Sequence, residues 1–281
     1  MLDFSPYQKD IARLFQDGLD LERLRDKTIL VVGATGLVGG CVVDVLMQNP
    51  ARCYKVIAAG RNKERAQQKF AAYWEDESFF FAKIDVTQPV IKSMNGMMVE
   101  SVYDELAEGA DYIIDAASNA SPNFFSQEPV EVMKANINGV SHLIEYGLKH
   151  RMKRMVYVSS GEIYGEGDGS EFTEKSSGYV DCASVRALRL LLDGERGNAY
   201  NVAHSESNIS IRQLAELIAQ KANRKVVFDI PEEDVQQGNT TPITKATFNT
   251  DKIKALGWKP LFDVEEGFGH TLQDVEKSLS R

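Results

Sequence analysis

Apolar positions at the start of the chain fall at helical spacing. Ile11, Leu14, Phe15, Leu19 and Leu24 predict one or two short helices within residues 1–26. From Lys27 the pattern changes to short, unbroken apolar runs. TILVVG (28–33), YKVIAA (54–59), FFFAKI (79–84), YIIDAA (112–117) and RMVYVS (154–159) each read as a strand covered on both faces, as in a parallel sheet. One intervening helix carries Val42, Val45 and Leu46. A longer one places Val130, Met133, Ile137, Val140, Ile144 and Leu148 on one face. This alternation predicts an α/β fold with a Rossmann-like, doubly wound parallel sheet.

The last hundred or so residues differ in texture. NAYNVA (198–203) and VVFDI (226–230) read as strands. Between them Ser210 opens a helix in capping-box form, with Gln213 three positions on and Ile211, Leu214, Leu217 and Ile218 beneath. TDKIKALGWKP (250–260) reads as a short helix stopped by Gly257 and Pro260. The expectation is a smaller C-terminal α/β lobe that binds substrate and closes over a ligand. Internal repeats and low-complexity tracts are absent from the sequence.

Composition narrows the partners. The net charge of -9 over 281 residues argues against a nucleic-acid or anionic-membrane surface, though not against a local basic pocket for one phosphorylated ligand. Cys41, Cys53 and Cys182 are far apart and form no CxxC pair; His142, His150, His204 and His270 show no HExxH spacing. Neither a disulfide framework nor a metal site is expected. The N-terminus lacks the basic start and apolar run of a signal peptide, and no apolar stretch approaches the ~20 residues of a membrane span. A cytoplasmic, soluble protein is expected.

The chemistry starts at GATGLVG (33–39). Gly33, Gly36 and Gly39 follow a strand and open a helix, the context in which such spacing binds a dinucleotide. Backbone without a Cβ can approach a pyrophosphate, and the helix N-terminus offers free N–H groups and a positive dipole. Thr35, Leu37 and Val38 complete the turn. After the second strand the chain reads Ala59-Gly60-Arg61-Asn62-Lys63, with no Asp or Glu to bind the adenosine ribose. Arg61, beside Asn62, can pair with a 2′-phosphate, which favours NADP(H) over NAD(H). Asp85 and Val86, after the third strand, are placed to meet the adenine.

GATGLVG (33–39), DAASNASP (115–122), ANINGV (135–140), SSGEIYG (159–165), NAYNVA (198–203) and LGWKPLFDVEEGF (256–268) occur in that order. Together they resemble the extended short-chain dehydrogenase/reductase family of NAD(P)-dependent nucleotide-sugar epimerases, dehydratases and decarboxylases. The resemblance implies transient oxidation at C4 of a nucleotide-linked hexose. The resulting 4-keto sugar permits epimerisation, dehydration or decarboxylation before hydride return. It implies catalytic roles for Ser160, which hydrogen-bonds the sugar oxygen, and Glu162, an acid–base residue. It adds Ala116, Ala117, Ser118 and Val158 to the cofactor set, and Asn119, Ser121, Ser160 and Asn201 to the substrate set. Asn136 would hold a local backbone distortion near the site. A homodimer is also implied. The domains expected are a helical extension (1–26), an NAD(P)-binding Rossmann domain (27–178) and a portion that is mainly substrate-binding lobe (179–281).

Two departures stand out. Dehydratases of the family carry Asp before the Glu, where this chain has Gly161; SNASP (118–122) instead resembles the sugar pocket of UDP-glucuronate decarboxylases. The family's YxxxK helix is also missing, since no Tyr in the chain has Lys four positions later. The interval between Gly165 and Asn198 is too short for that helix, another strand and a substrate loop. Either a stretch is omitted between about residues 165 and 190, leaving a break in the backbone there, or the chain is truly shortened. Omission is the favoured reading, because a sheet without its fifth crossover exposes an apolar face. The alternatives to an epimerase/dehydratase-type enzyme are a decarboxylase, an NADPH-dependent 4-keto sugar reductase and a catalytically inactive dinucleotide sensor.

Overall fold

The computed structural model describes residues 5–94, 97–101, 103–118, 127–164, 171–174, 194–195, 197–228 and 247–279. Its strands are β1 (Thr28–Val32), β2 (Lys55–Gly60), β3 (Phe79–Lys83), β4 (Ile91–Met94), β5 (Met97–Ser101), β6 (Tyr112–Asp115) and β7 (Arg154–Tyr157). Its helices are α1 (Pro6–Gln16), α2 (Leu37–Met47), α3 (Lys63–Lys69), α4 (Pro129–Lys149), α5 (Ile211–Lys221), α6 (Asp251–Lys254) and α7 (Val264–Leu279). Among the described residues no helix is long and apolar enough to cross a membrane.

Five of these strands form one parallel sheet in the order β3-β2-β1-β6-β7. The apolar runs produce this because Ile29, Leu30, Val31 and Val32 are all at most 1% exposed, which only cover on both faces allows. α2 buries Val42, Val43, Val45 and Leu46. On β1, Val32 is level with Ala59 of β2 and Asp115 of β6, so the carboxyl ends of the central strands line up. β4 and β5 pair separately as an antiparallel hairpin that the apolar pattern did not announce.

Contacts divide the chain into two compact units. One comprises Gly18–Ser159 and Ala183–Asn198, and it holds the parallel sheet; the other comprises Met1–Asp17, Ser160–Cys182 and Ala199–Arg281. In the second unit α1 is closed by a Ser5–Gln8 capping box and packs on α7. The Tyr7 N–H donates to Asp274 Oδ2 at 3.0 Å, and His270 Nδ1 lies 2.9 Å from Asp10 Oδ2. The capping box predicted at Ser210 and Gln213 opens α5, which Lys221 ties to Glu265 of α7 at 3.2 Å.

Several expectations require correction. NAYNVA is no strand. It is buried at Tyr200 and Val202, but side chains satisfy part of its backbone: the Asn201 N–H donates to Glu174 Oε1 at 2.7 Å, and Lys252 Nζ donates to the Ala199 carbonyl at 2.7 Å. Residues 226–228 of VVFDI are not in a strand either, and 229–230 lie outside the described residues. Ile211 does not lie beneath α5, being 82% exposed. α4 runs through Asn136 without interruption.

On α4 the apolar stripe exists, but the sheet takes another face. Val132, Leu143 and Tyr146 are buried, whereas Met133, Ile137 and Leu148 are 60%, 62% and 65% exposed. The buried face is drawn close by Gly139, where a Cβ would stand 2.9 Å from Val86 Cγ2. Of the interval between about residues 165 and 190 in which a stretch was expected to be omitted, only 171–174 are among the described residues; 165–170 and 175–190 lie outside them. Among the described residues the outer edge of β7 has no strand partner.

Candidate functional site: the glycine turn and the sheet rim

The three glycines of the turn are there for different reasons. Gly33 has φ +74°, and a Cβ on it would stand 2.4 Å from the Ala116 carbonyl oxygen at the neighbouring strand end. A Cβ on Gly39 would stand 2.5 Å from the Gly33 carbonyl oxygen, so bare backbone there lets α2 pack onto the turn. Both glycines are demanded by the fold itself. Gly36 is needed less: its φ of -72° and ψ of -177° suit any residue, and its Cβ would meet only the Gly33 carbonyl oxygen, in a tight contact of 3.2 Å. It is exposed, and a side chain there would cover the start of α2. Leu37, next to it, is 88% exposed, an apolar side chain left in the open beside the turn. Gly36 is also the N-cap of α2 and cannot supply a side-chain cap to the first N–H groups. A bare Cα, free amides and a positive helix end together fit a pyrophosphate.

The other candidate cofactor residues lie along the same rim, one to three positions past the strand ends. Hydrogen bonds of 3.0 Å from the Ala34 N–H to the Ala59 carbonyl and from the Ala116 N–H to the Val32 carbonyl hold the turn between its neighbours. The Val158 N–H donates to the Asp115 carbonyl at 2.8 Å, and that of Ile84 to Gly60 at 3.0 Å. β1 and β6 flank the point where strand order reverses, the place where open α/β sheets bind ligands. Thr35 faces Gly60, whose Cβ would stand 3.5 Å from Thr35 Oγ1. Arg61 is exposed. Asn62 caps α3, accepting from the Arg65 N–H at 2.7 Å. Asp85 Oδ1 accepts from the Thr87 N–H and hydroxyl at 3.0 and 2.8 Å, and Val86 is buried against Gly139. Ala116 and Ala117 are half-buried, Ser118 is exposed and Val158 is half-buried.

Two rim residues were missed from sequence. Asp115 ends β6 almost wholly buried, and burial pushes its pKa up to about 6 against the opposing pull of the Ala117 N–H, which donates to Oδ1 at 3.0 Å. A carboxylate closing an apolar strand was the available signal. Lys69, the last residue of α3, sends its Nζ to the Gly36 carbonyl at 2.7 Å. Nothing in the local sequence marks that contact.

The catalytic candidates belong to the other unit. Ser160 is exposed, and residues Gly161–Tyr164 form a 3-10 turn. A Cβ on Gly161 would stand 2.8 Å from Phe248 Cζ, so the aromatic ring fills the space of any larger residue there. Tyr164 stacks on Phe172 with centroids 4.9 Å apart and donates to Asn201 Oδ1 at 2.6 Å. Asn201 Nδ2 donates to the Phe172 carbonyl at 3.2 Å. The Asn201 side chain is therefore engaged at both ends and 1% exposed, tying the turn down. Asn119, Ser121 and the side chain of Glu162 lie outside the described residues.

Comparison with known proteins agrees with this architecture. UDP-glucuronic acid decarboxylase 6 of Arabidopsis thaliana is 29% identical over 160 residues, which are 57% of this chain and 41% of that protein. The chain spans less than half the length of such curated relatives. A dTDP-glucose 4,6-dehydratase of Streptomyces venezuelae, solved with NAD, superposes with TM-score 0.71 at 14% identity, covering 90% of this chain and 98% of its own. A UDP-glucose 4-epimerase of Thermotoga maritima, solved with UDP-glucose, gives 0.66 at 18%, covering 90% and 99%. These likenesses show the Rossmann-like fold. The model of the NAD dependent epimerase/dehydratase family matches residues 29–202, and the chain belongs to that family.

Proposed function

We propose that this protein is an NAD(P)-dependent nucleotide-sugar enzyme of the epimerase/dehydratase type, working through a transient 4-keto sugar. The observation that carries the reading is Gly36. Its backbone has no conformational need of glycine, yet it stands bare at the opening of α2. The bound dinucleotide supplies hydride acceptance and return. The chain's part is to hold the diphosphate on the first amides of α2, with Thr35, Arg61, Asp85, Ala116 and Val158 lining the rim. Ser160 orients the sugar hydroxyl and Glu162 handles a proton at or near C5. Asn119 and Ser121 contact the sugar, while Asn201 acts by holding the 161–164 turn.

Arg61, and the lack of an acid at the end of β2, support NADP(H); the NAD carried by the Streptomyces dehydratase supports NAD(H). Titrating the purified protein with both coenzymes separates them, and much tighter NAD+ binding removes the preference for NADP+. A second reading, a UDP-glucuronate decarboxylase-like enzyme, is favoured by SNASP and by the Arabidopsis decarboxylase. The exposed stripe of α4 supports a homodimer. The reading also includes a Tyr–Lys pair from a stretch between about residues 165 and 190 that the 281-residue sequence lacks, which sequencing the encoding gene across that interval tests.

The activity test is incubation with UDP-, GDP- and dTDP-sugars while NADPH absorbance and sugar products are followed. Epimerisation regenerates the coenzyme, reduction consumes NADPH stoichiometrically, and decarboxylation releases CO2. Ser160→Ala should lower kcat with little change in coenzyme affinity. Coenzyme binding without turnover of any sugar would leave the inactive sensor as the better account.

A further inference from the structure

α3 carries a cation that leaves its own helix. An ammonium in the last turn of a helix is well placed beside that helix's negative end. Lys69 instead extends to the opposite end of another helix. Its Nζ donates to the Gly36 carbonyl at 2.7 Å and lies 3.5 Å from the Thr35 carbonyl, beside the positive opening of α2. It is let in by Gly40, on which a Cβ would stand 2.0 Å from Nζ and 2.4 Å from Cε. Gly40 is buried within α2, where Gly costs helix stability relative to Ala. Here its absence of a side chain makes the trough through which Lys69 reaches the turn.

A cation at a helix N-terminus faces the positive end of the dipole; the Asp44 carboxylate of α2 offsets part of that, and an anion joining at the turn would offset more. Its contact with the Gly36 carbonyl has a second effect. In a trans peptide the carbonyl and the following N–H point in opposite directions, so fixing the Gly36 oxygen fixes the Leu37 N–H. The Gly40 N–H bonds the same oxygen at 3.2 Å, holding it from the helix side. The amide that opens α2 thus faces away from the helix, toward the place proposed for the diphosphate.

We infer that Lys69, seated in the trough of Gly40, is a positioning residue for the coenzyme diphosphate: it orients the Gly36–Leu37 peptide and adds positive charge at the anion site. This rests on the dinucleotide reading above. It is distinct from any role of Arg61, because the diphosphate is common to NAD+ and NADP+.

The test uses the full chain, with NAD+, NADP+, ADP and adenosine as titrants and the unliganded melting temperature measured in parallel. Lys69→Met removes the ammonium. Gly40→Ala leaves it in the chain but drives it from the turn, the overlapped atoms being the far end of a flexible side chain, with the Ala34 carbonyl oxygen in tight contact at 3.2 Å. Each variant should weaken NAD+, NADP+ and ADP alike by about tenfold and leave adenosine within about twofold, the scale of one charge-assisted contact. The double variant should lose no more than either single one, because both break the same contact. Unliganded melting temperatures should stay level or rise, since a misplaced charge or a helix glycine has been removed. Unchanged diphosphate affinity overturns the inference. So does equal loss for adenosine with a lowered melting temperature, which marks a merely structural lysine. If the wild-type chain binds none of the dinucleotides, the coenzyme reading falls first.

Discussion

Replacing Asp115 by Asn should stabilise the protein at neutral pH and not in acid. The carboxyl ends β6, is 1% exposed, and is level in the sheet with Val32 on one side and Tyr157 on the other. Burial pushes its pKa up to about 6, the Ala117 N–H opposing. The sign follows from which state holds the proton. Well below the unfolded pKa, near 3.9, the group is neutral folded or unfolded and costs nothing. As pH rises through about 6, the folded state must carry a desolvated carboxylate that the unfolded chain would leave in water, so stability is lost across roughly pH 4 to 6. A shift of about two units at about 1.4 kcal/mol each makes the loss about 3 kcal/mol. Asn has nearly the same shape and keeps an oxygen for the Ala117 N–H. Asp115→Asn should therefore gain about 2–3 kcal/mol at pH 7.5, or about 3–5 °C in melting temperature. Near pH 4 the gain should vanish. Urea unfolding of both proteins at the two pH values measures it, and taking their difference cancels the other titrating groups. A variant less stable than wild type at pH 7.5, or a difference independent of pH, refutes the reasoning.

Other outcomes follow from the same geometry. Gly33→Ala should destabilise the fold by at least about 2 kcal/mol, given its positive φ and its contact with Ala116. Gly36→Val should keep stability within about 1 kcal/mol while weakening dinucleotide binding by more than about tenfold; thermal scanning and titration distinguish the pair, and intact affinity in Gly36→Val sinks the coenzyme site. Tyr164→Phe should cost about 1–3 kcal/mol in urea unfolding, because it leaves the buried Asn201 Oδ1 without its donor. If α4 is the dimer contact, charging its exposed face with Met133→Glu and Ile137→Glu should shift sedimentation from dimer to monomer with the fold intact. A dimer that survives both substitutions places the contact elsewhere.

By itself the sequence determined the strands of the sheet and the glycine turn. A strand covered on both faces must be apolar at every position, and TILVVG or YKVIAA can hardly serve anywhere else. Glycine spacing after such a strand marks the turn by itself, although the Ala116 carbonyl that requires Gly33 comes from a neighbouring strand end. What it left open depended on neighbours. NAYNVA has a strand's composition, but pairing belongs to two segments, and Glu174 and Lys252 took hydrogen bonds that a ladder would use. Periodicity revealed an apolar stripe on α4 without saying that the sheet would bury Leu143 and Tyr146 from another face. The hairpin of β4 and β5 gave no alternation to read. Asp115 carried no mark of its shifted pKa, because desolvation is set by what packs around a group. Lys69 lies 33 positions from the carbonyl it holds. Only the crossover that lays α3 beside α2 brings them together, and contacts of that kind belong to the tertiary structure alone.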